Sequence, residues 1–166
     1  MNNSVITSVS PRECELIASG RQTMLVRKTR PKIETPFKCY IYCTKGTFDI
    51  TDCPDLSKDS VKKVAEGRGK VIGSFVCDEI IEDKHGEYAD VFYKDGLLTL
   101  EEQKKYGKNK PLYGWHISDL KIYNKPKELG EFGNYKTEWI QWYHSDDKVF
   151  YPLKRMSGSW CYIEEE

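Results

Sequence analysis

The sequence predicts one α+β domain built on a small, curved, mostly antiparallel β-sheet that closes into a barrel, with about three short helices. Aromatic residues make up 13% of the chain, including 11 Tyr and 4 Trp, and such side chains suit the half-buried surface of a sheet. Several segments alternate apolar and polar residues with the period of two that strands require. The predicted helices are too few and too short to connect parallel strands, which favours antiparallel pairing.

The length and charge of the chain limit the possible classes of protein. A chain of 166 residues fits one domain, residues 1–166, which needs no disulfide or metal to form a core. The 26 basic and 26 acidic residues give zero net charge, which argues against indiscriminate binding to nucleic acid but permits a local basic patch. No apolar run is long enough for a membrane span, and the first residues do not resemble a signal peptide. We therefore expect a cytoplasmic protein.

Capping signals locate the helices. Ser10–Glu13 has Ser at the N-cap, Pro at the first helical position and Glu at the third, which predicts a helix over Pro11–Ser19 that Gly20 ends. Ser57 caps a second predicted helix. A second capping box opens a third helix over Thr99–Tyr106.

The strands are predicted from alternation and from apolar runs. Thr23–Arg27 alternates, with Leu25 on the same face as Arg27. One face of the next strand is predicted to carry Phe37, Cys39, Ile41 and Cys43. Residues 70–82 are apolar on both faces and predict a central strand, in which Gly73 marks a bulge or a close backbone approach.

The remaining segments are shorter or less regular. Strands are predicted at residues 5–9, at 114–123 with a bulge near Ser118, and at 159–163, before a solvated tail. Residues 89–94 are predicted to be a strand or a loop. An aromatic hairpin is predicted over Trp139–Tyr151, around Ser145-Asp146-Asp147.

The six cysteines predict free thiols rather than a metal site. Cys39 and Cys43 lie four residues apart on a predicted strand, so they are roughly 13 Å apart and cannot share one zinc ion. No other cysteine or histidine spacing is typical of a metal site, and we expect neither a metal nor a cofactor. The sequence does not mark any cysteine as an activated nucleophile.

The basic segment Gly20–Lys32 is the clearest candidate for binding. It contains five basic residues and no acidic one, and clustered guanidinium and ammonium groups concentrate phosphates. The alternative is a solvated basic strand end. Trp115-His116 and Trp160–Tyr162 would stack on bases if exposed, and would fill the barrel if buried.

The order of a helix, Gly20, and a strand carrying Thr23 and Arg27 resembles the ASCH domain, a relative of the PUA fold whose signature reads Gly-x-Lys-x-x-Glu-x-Arg. The likeness extends over residues 28–32, 37–46, 69–73, 113–120 and 159–162, and is similar to a bacterial or phage-borne subgroup. The resemblance implies a PUA-like β-barrel with a cleft beside the signature helix. It also implies binding of RNA or modified nucleotides.

One branch of that family is an amidohydrolase that removes acyl groups from acetylated cytidine with a Lys, a Thr and a Glu. Here the signature Lys position is Gln22, and Leu25 stands where the family has Glu and the branch has Thr. The branch's catalytic Glu would fall near Asp95 or Gly96, where this chain has no Glu. Gln22 cannot act as a base, and Leu25 has no hydroxyl to attack a carbonyl.

We therefore expect an RNA-binding or nucleotide-binding module without its family's catalytic residues and without a cofactor. Lys28 and Arg30 would meet phosphate together with Arg27 and Lys45. Thr23 and His116 would make polar contacts, while Trp115 would stack or line the cleft. The alternatives are an amidohydrolase with a rearranged site, and a protein-interaction domain that uses the aromatic region Trp139–Tyr151.

Overall fold

A computed structural model of the protein describes residues 3–47, 56–140 and 143–165, while the side chains of 138–147 lie outside the description. The described strands are β1 (Asn3–Val9), β2 (Met24–Arg27), β3 (Phe37–Cys43), β4 (Lys70–Asp83), β5 (Leu112–Glu128), β6 (Gly133–Ile140), β7 (Tyr143–Pro152) and β8 (Trp160–Glu164). The described helices are α1 (Pro11–Ala18), α2 (Lys58–Gly67), α3 (Ala89–Lys94), α4 (Leu100–Gly107) and the 3-10 turn Leu129–Glu131. The fold class is α+β, as predicted.

The three predicted helices are confirmed, and their caps explain where they begin. The Ser10 side chain accepts a hydrogen bond from the Glu13 backbone N–H, and Gly20 follows the helix with a φ of 78°. Thr99 and Glu102 form the full reciprocal capping box of α4. The longest described helix has 10 residues. None of the described helices has the length and apolar character to cross a membrane.

A fourth helix, α3, occupies the segment predicted to be a strand or a loop. Its N-cap, Tyr88, makes no side-chain hydrogen bond, so the sequence carries no start signal for it. Phe92 is fully buried and packs with Met24, Val26 and Leu112. Tertiary packing therefore holds this helix in place, which local sequence patterns do not reveal.

Six strands form one sheet in the order β2-β5-β4-β3-β1-β8, with β4 inside it as predicted. Neighbouring strands are antiparallel except for β1 and β3, which are parallel. The predicted closure into a barrel is wrong, because β2 and β8 remain the two edges of this sheet among the described residues. The curved, mostly antiparallel sheet itself is confirmed.

Irregularities in β4 and β5 bend the sheet where the sequence predicts them. A Cβ on Gly73 would lie 2.3 Å from the Lys121 carbonyl oxygen, so the two strands approach there as only glycine permits. Asp119 has a φ of 45°, and the pairing between β4 and β5 shifts register beside it. Such bulges increase the local twist of a sheet.

The main core lies on one face of the sheet, where α1 packs against it. The four alternate residues predicted to share one face of β3 all belong to this core, together with Leu25 and Trp115. Met24 and Val26 face the opposite side, where they pack with Phe92. Strand β2 is thus buried on both faces, although its sequence alternates.

The predicted aromatic hairpin exists, but it begins earlier, and the residues predicted for its turn lie in a strand. Strand β6 pairs with β7 from Gly133 opposite Pro152 to Ile140 opposite Tyr143. Ser145-Asp146-Asp147 belongs to β7, so the predicted turn at these residues is wrong, and residues 141–142 lie outside the described residues. The predicted interaction surface over Trp139–Tyr151 falls largely on side chains outside the description.

Four of the predicted thiols are buried and free, namely Cys14, Cys39, Cys43 and Cys77. Cys161 is free and partly exposed, and Cys53 lies outside the described residues. Within the described ranges, no group of three or more His, Cys, Asp or Glu side chains is arranged to hold a metal ion.

Candidate functional site

A basic loop, residues Lys28–Lys32, follows β2 and carries three exposed cations. Lys28, Arg30 and Lys32 are exposed, whereas Pro31 between them is buried. The buried proline anchors the loop to the fold, so the charged side chains on either side of it remain at the surface. Within the basic segment Gly20–Lys32, this loop is where exposed basic side chains cluster, at every second residue.

Two aromatic residues of β8 hold this loop in place. Trp160 Nε1 donates a hydrogen bond to Thr29 Oγ1 at 2.9 Å, and the Lys32 backbone N–H donates to Tyr162 Oη at 2.6 Å. Trp160 and Tyr162 lie two residues apart on one face of the strand, and their rings meet edge to face with centroids 5.3 Å apart. Both rings are partly exposed. The loop is therefore fixed to the sheet by hydrogen bonds that leave its cations available.

A cavity of about 470 Å³ lies between the loop and β5. Its lining comprises Lys28, Thr29, Arg30, Pro31, Lys32, Ile33, Glu34 and Tyr113. Three of these residues are basic and one is acidic, so the cavity presents a net positive surface. Its volume falls within the range of about 300–1,000 Å³ that small-molecule sites occupy.

The loop cations have few partners within the fold. Lys28 Nζ lies 4.7 Å from the centre of the Tyr106 ring of α4, a cation–π contact. Arg30 Nε makes a long hydrogen bond of 3.4 Å to the Pro31 carbonyl oxygen. No ion pair joins any of the three loop cations to a carboxylate of the described residues. The loop's charge is therefore uncompensated at close range, which suits an anionic ligand.

Arg27 is not part of this exposed surface. Its residue is 6% exposed, and its guanidinium donates to Thr7 Oγ1, to the Ser8 carbonyl oxygen at 2.8 Å and to the Val26 carbonyl oxygen. The Arg27 N–H groups that could bind a phosphate are therefore already bonded to oxygen atoms of the protein. Arg27 joins β2 to β1 across the open side of the sheet and is a structural residue in this fold.

Trp115 and His116 point to opposite faces of β5, because neighbouring residues of a strand alternate. Trp115 is fully buried and contacts Phe37 and Trp160 edge to face. It therefore packs against the residue that holds the basic loop, and it cannot stack on a base. His116 lies on the other face, where its Nδ1 is 2.6 Å from Asp78 Oδ1. The hydrogen bond from His116 lowers the pKa of Asp78.

Thr23 and Lys45 lie away from the basic loop. The Thr23 backbone N–H donates to the Asp95 carbonyl oxygen, at the opposite end of β2 from Lys28. Lys45 follows the end of β3 and covers Gly69, whereas the basic loop precedes the start of β3. The seven residues of β3 separate the two positions by roughly 23 Å. Of the predicted site residues, the structure brings together Lys28 and Arg30.

Gln22 and Leu25, at the positions where the ASCH resemblance predicts catalytic side chains, are both buried and have neither a basic nor a nucleophilic group. Gln22 is 2% exposed, and its amide donates to the Met24 carbonyl oxygen at 3.0 Å and to Glu13 Oε1. Leu25 is fully buried in the main core. The Asp95 backbone carbonyl accepts hydrogen bonds from Thr23 and Met24, so this turn closes the end of β2.

The structure adds Lys32, Tyr113, Trp160 and Tyr162 to the site. Alternation along β8 does place Trp160 and Tyr162 on one face, but only the tertiary fold brings that face to the basic loop. Tyr113 likewise lies on β5, far from the loop in sequence. The basic segment was therefore predictable from the sequence, whereas the contacts of Trp160 and Tyr162 with it depend on the tertiary fold.

No protein-family model matches the chain, and no curated protein matches it. Among solved structures, the ASCH protein of Zymomonas mobilis is similar, with a TM-score of 0.55 and 16% identity over 76% of this chain and 73% of that chain. Two point-mutant forms of the same protein match with the same TM-score. Membership of a bacterial or phage-borne subgroup stays a prediction. The protein has the ASCH-type fold that the sequence resemblance implied.

Proposed function

We propose that the protein is a binding module for single-stranded RNA and that the basic loop is its interface. The observation that carries this proposal is the combination of three exposed cations with the aromatic pair Trp160 and Tyr162 that holds them. Single-stranded nucleic acid is bound by this combination, because cations follow the phosphates while aromatic rings stack on bases. The five cysteines among the described residues are free thiols, which fits a reducing compartment such as the cytoplasm.

The roles of the residues follow from their chemistry. Arg30 presents a planar guanidinium that matches a phosphate in two hydrogen bonds, and Lys28 and Lys32 add point charges on either side. The partly exposed ring of Trp160 offers a surface for one base, with Tyr113 as the wall of the adjoining cavity. Because the net charge of the chain is zero, binding should depend on this loop rather than on a general positive field.

The proposal is tested by replacing the loop cations. We expect Arg30→Ala/Lys32→Ala to weaken binding of a labelled, mixed-sequence RNA of about 12 nucleotides by roughly tenfold or more at low salt, measured by fluorescence anisotropy. The slope of log affinity against log salt should become shallower by about 0.7 for each phosphate that the variant no longer neutralises.

A matched control is available on α2, where Lys58 and Lys62 are also exposed. The double variant Lys58→Ala/Lys62→Ala removes the same charge from a different element, and we expect it to bind RNA as the unmodified protein does. Equal losses in the two double variants would contradict a specific interface. Displacement of the RNA by low concentrations of a nucleoside monophosphate would show that the ligand is a nucleotide rather than a strand.

We propose that binding occurs without acyl hydrolysis. An amide at Gln22 and an apolar side chain at Leu25 supply neither a base nor a nucleophile, and both are buried. We expect no release of acetate when the protein is incubated at high concentration with acetylated cytidine. Acetate release that is reproduced by an independently purified sample, which excludes a contaminating enzyme, would favour the amidohydrolase alternative.

A further inference from the structure

Two cysteine thiols far apart in sequence meet at one end of the sheet. Cys14 lies on α1, and Cys43 is the last residue of β3. Strand β1 runs parallel to β3 with Val9 opposite Cys43, and α1 begins two residues after Val9. The first turn of α1 therefore folds over the end of β3, which brings the two thiols close enough for each to influence the pKa of the other. The Cys14 thiol donates to the Val9 carbonyl oxygen and the Cys43 thiol donates to the Thr44 carbonyl oxygen, each at 3.7 Å.

Both thiols lie in the wall of a cavity of about 400 Å³ that is distinct from the one beside the basic loop. Ile72 and Ile122 form an apolar part of its lining, while the exposed Lys63 and Glu66 of α2 form a charged part of it. Cys14 is 3% exposed and Cys43 is 1% exposed. A cavity of this volume has room for a compact molecule and not for a folded protein.

The two thiols differ in acidity in a way that assigns them different roles. The neighbouring Cys14 side chain lowers the pKa of Cys43, burial opposes this effect, and the positive charge of Arg68 adds to the lowering. The interaction with Cys43 and burial raise the pKa of Cys14. Cys43 is thus the first of the pair to lose its proton, and a thiolate is the nucleophilic form of cysteine.

We propose that Cys14 and Cys43 form a redox-active dithiol that reduces small disulfides entering this cavity. The Cys43 thiolate attacks one sulfur of the disulfide, forms a mixed disulfide and expels the first small thiolate. Cys14 then gives its proton to that thiolate and attacks the Cys43 sulfur, which expels the second thiolate and leaves a Cys14–Cys43 disulfide. Two electrons pass from the protein thiols to the small disulfide, which becomes two thiols once the second thiolate takes a proton from solvent.

The buried thiols Cys39 and Cys77 are internal controls within the same chain. Both are fully buried in the main core, and neither lines this cavity. Burial raises the pKa of Cys39 well above its usual range and that of Cys77 to about 12. They should therefore react with a disulfide only after the fold opens.

The test treats the reduced full-length protein with 2-hydroxyethyl disulfide at neutral pH, followed by acid quenching and peptide mapping by mass spectrometry. We expect a Cys14–Cys43 disulfide in the unmodified protein, formed at least about tenfold faster than adducts at Cys39 or Cys77, because one pKa unit changes the thiolate fraction tenfold. With Cys14→Ser, a mixed disulfide should accumulate at Cys43, since no second thiol resolves it.

The replacement Cys43→Ser should leave Cys14 unmodified over the same period. Reaction at Cys14 or Cys43 no faster than at Cys39 and Cys77 would overturn the proposal. So would a map of the unmodified protein in which Cys43 carries a stable adduct and no link to Cys14. The map of the unmodified protein decides the question even if a variant fails to fold.

Discussion

Arg27 at the end of β2 donates hydrogen bonds from both Nε and Nη2 to Thr7 Oγ1 of β1, at 3.3 Å and 3.2 Å. These two strands are not neighbours in the sheet, so the side chain spans a gap that backbone pairing leaves open. A buried guanidinium whose partners are neutral oxygens is costly unless its hydrogen bonds are made. The contact therefore fixes the position of the strand from which the basic loop departs.

Arg27→Ala should lower the free energy of unfolding by about 3 kcal/mol, because it removes charge-assisted hydrogen bonds and leaves a cavity. Urea denaturation followed by tryptophan fluorescence measures this change. RNA affinity, corrected for the folded fraction, should stay the same, because the guanidinium faces the interior. If the variant is as stable as the unmodified protein but binds RNA more weakly, Arg27 contacts RNA and is not a structural residue.

Arg27 was predicted to bind phosphate at the surface but is buried, and this difference shows which features local sequence patterns can predict. Local patterns predicted the caps of α1 and α4 and the alternating faces of β3, because each depends on residues a few positions apart. The burial of Arg27 depends on Thr7, 20 positions earlier. A local sequence pattern cannot predict a contact between residues so far apart in the chain. The hydrogen bond from Trp160 to Thr29 and the proximity of Cys14 to Cys43 are unpredictable for the same reason.

Trp160 and Thr29 provide a test of how the basic loop is held. Trp160→Phe keeps an aromatic ring but removes the Nε1 donor, and Thr29→Val removes the acceptor while keeping the shape of the side chain. Each variant should cost about 1 kcal/mol of folding stability. The double variant should cost less than the sum of the two, because both remove the same hydrogen bond.

The effect of these variants on RNA binding separates support from stacking. Trp160→Phe should weaken binding only modestly, since a ring remains for a base. Trp160→Ala should cost a further 1–3 kcal/mol or so, the usual contribution of one stacked base. Equal affinities for Trp160→Phe and Trp160→Ala would mean that the ring positions the loop without contacting RNA.

Gly73 in β4 marks a close approach of two strands. A Cβ there would lie 2.3 Å from the Lys121 carbonyl oxygen and 3.1 Å from Ile122 Cδ1, so Gly73→Ala forces the strands apart. We expect a loss of at least about 2 kcal/mol in the free energy of unfolding, measured with urea. Gly130→Ala is the matched control, because a Cβ at Gly130 meets no atom within 4 Å. Similar stabilities for the two variants would contradict the register of β4 and β5.

The predicted solvated tail is in fact tied to the sheet at Glu165, whose Oε1 accepts hydrogen bonds from Ser4 Oγ at 2.7 Å and Tyr40 Oη at 2.6 Å. Burial alone would raise the pKa of Glu165, but these hydrogen bonds and the charge of Lys38 outweigh it, and the pKa is lowered. A carboxyl with a lowered pKa stabilises the folded state fully above its unfolded pKa of about 4.3, and this contribution is lost as the pH falls through the folded value.

Glu165→Gln should therefore reduce stability at neutral pH and lose its effect in acid. The amide oxygen still accepts a hydrogen bond but carries no charge, so the difference in unfolding free energy between the two proteins should be largest near pH 7 and shrink below about pH 4. Tyr40→Phe is the control, because it removes one donor and should reduce the pH-dependent part without abolishing it. A difference that stays constant from neutral to acidic pH would show that the charge of Glu165 does not hold β8 and its tail against β1.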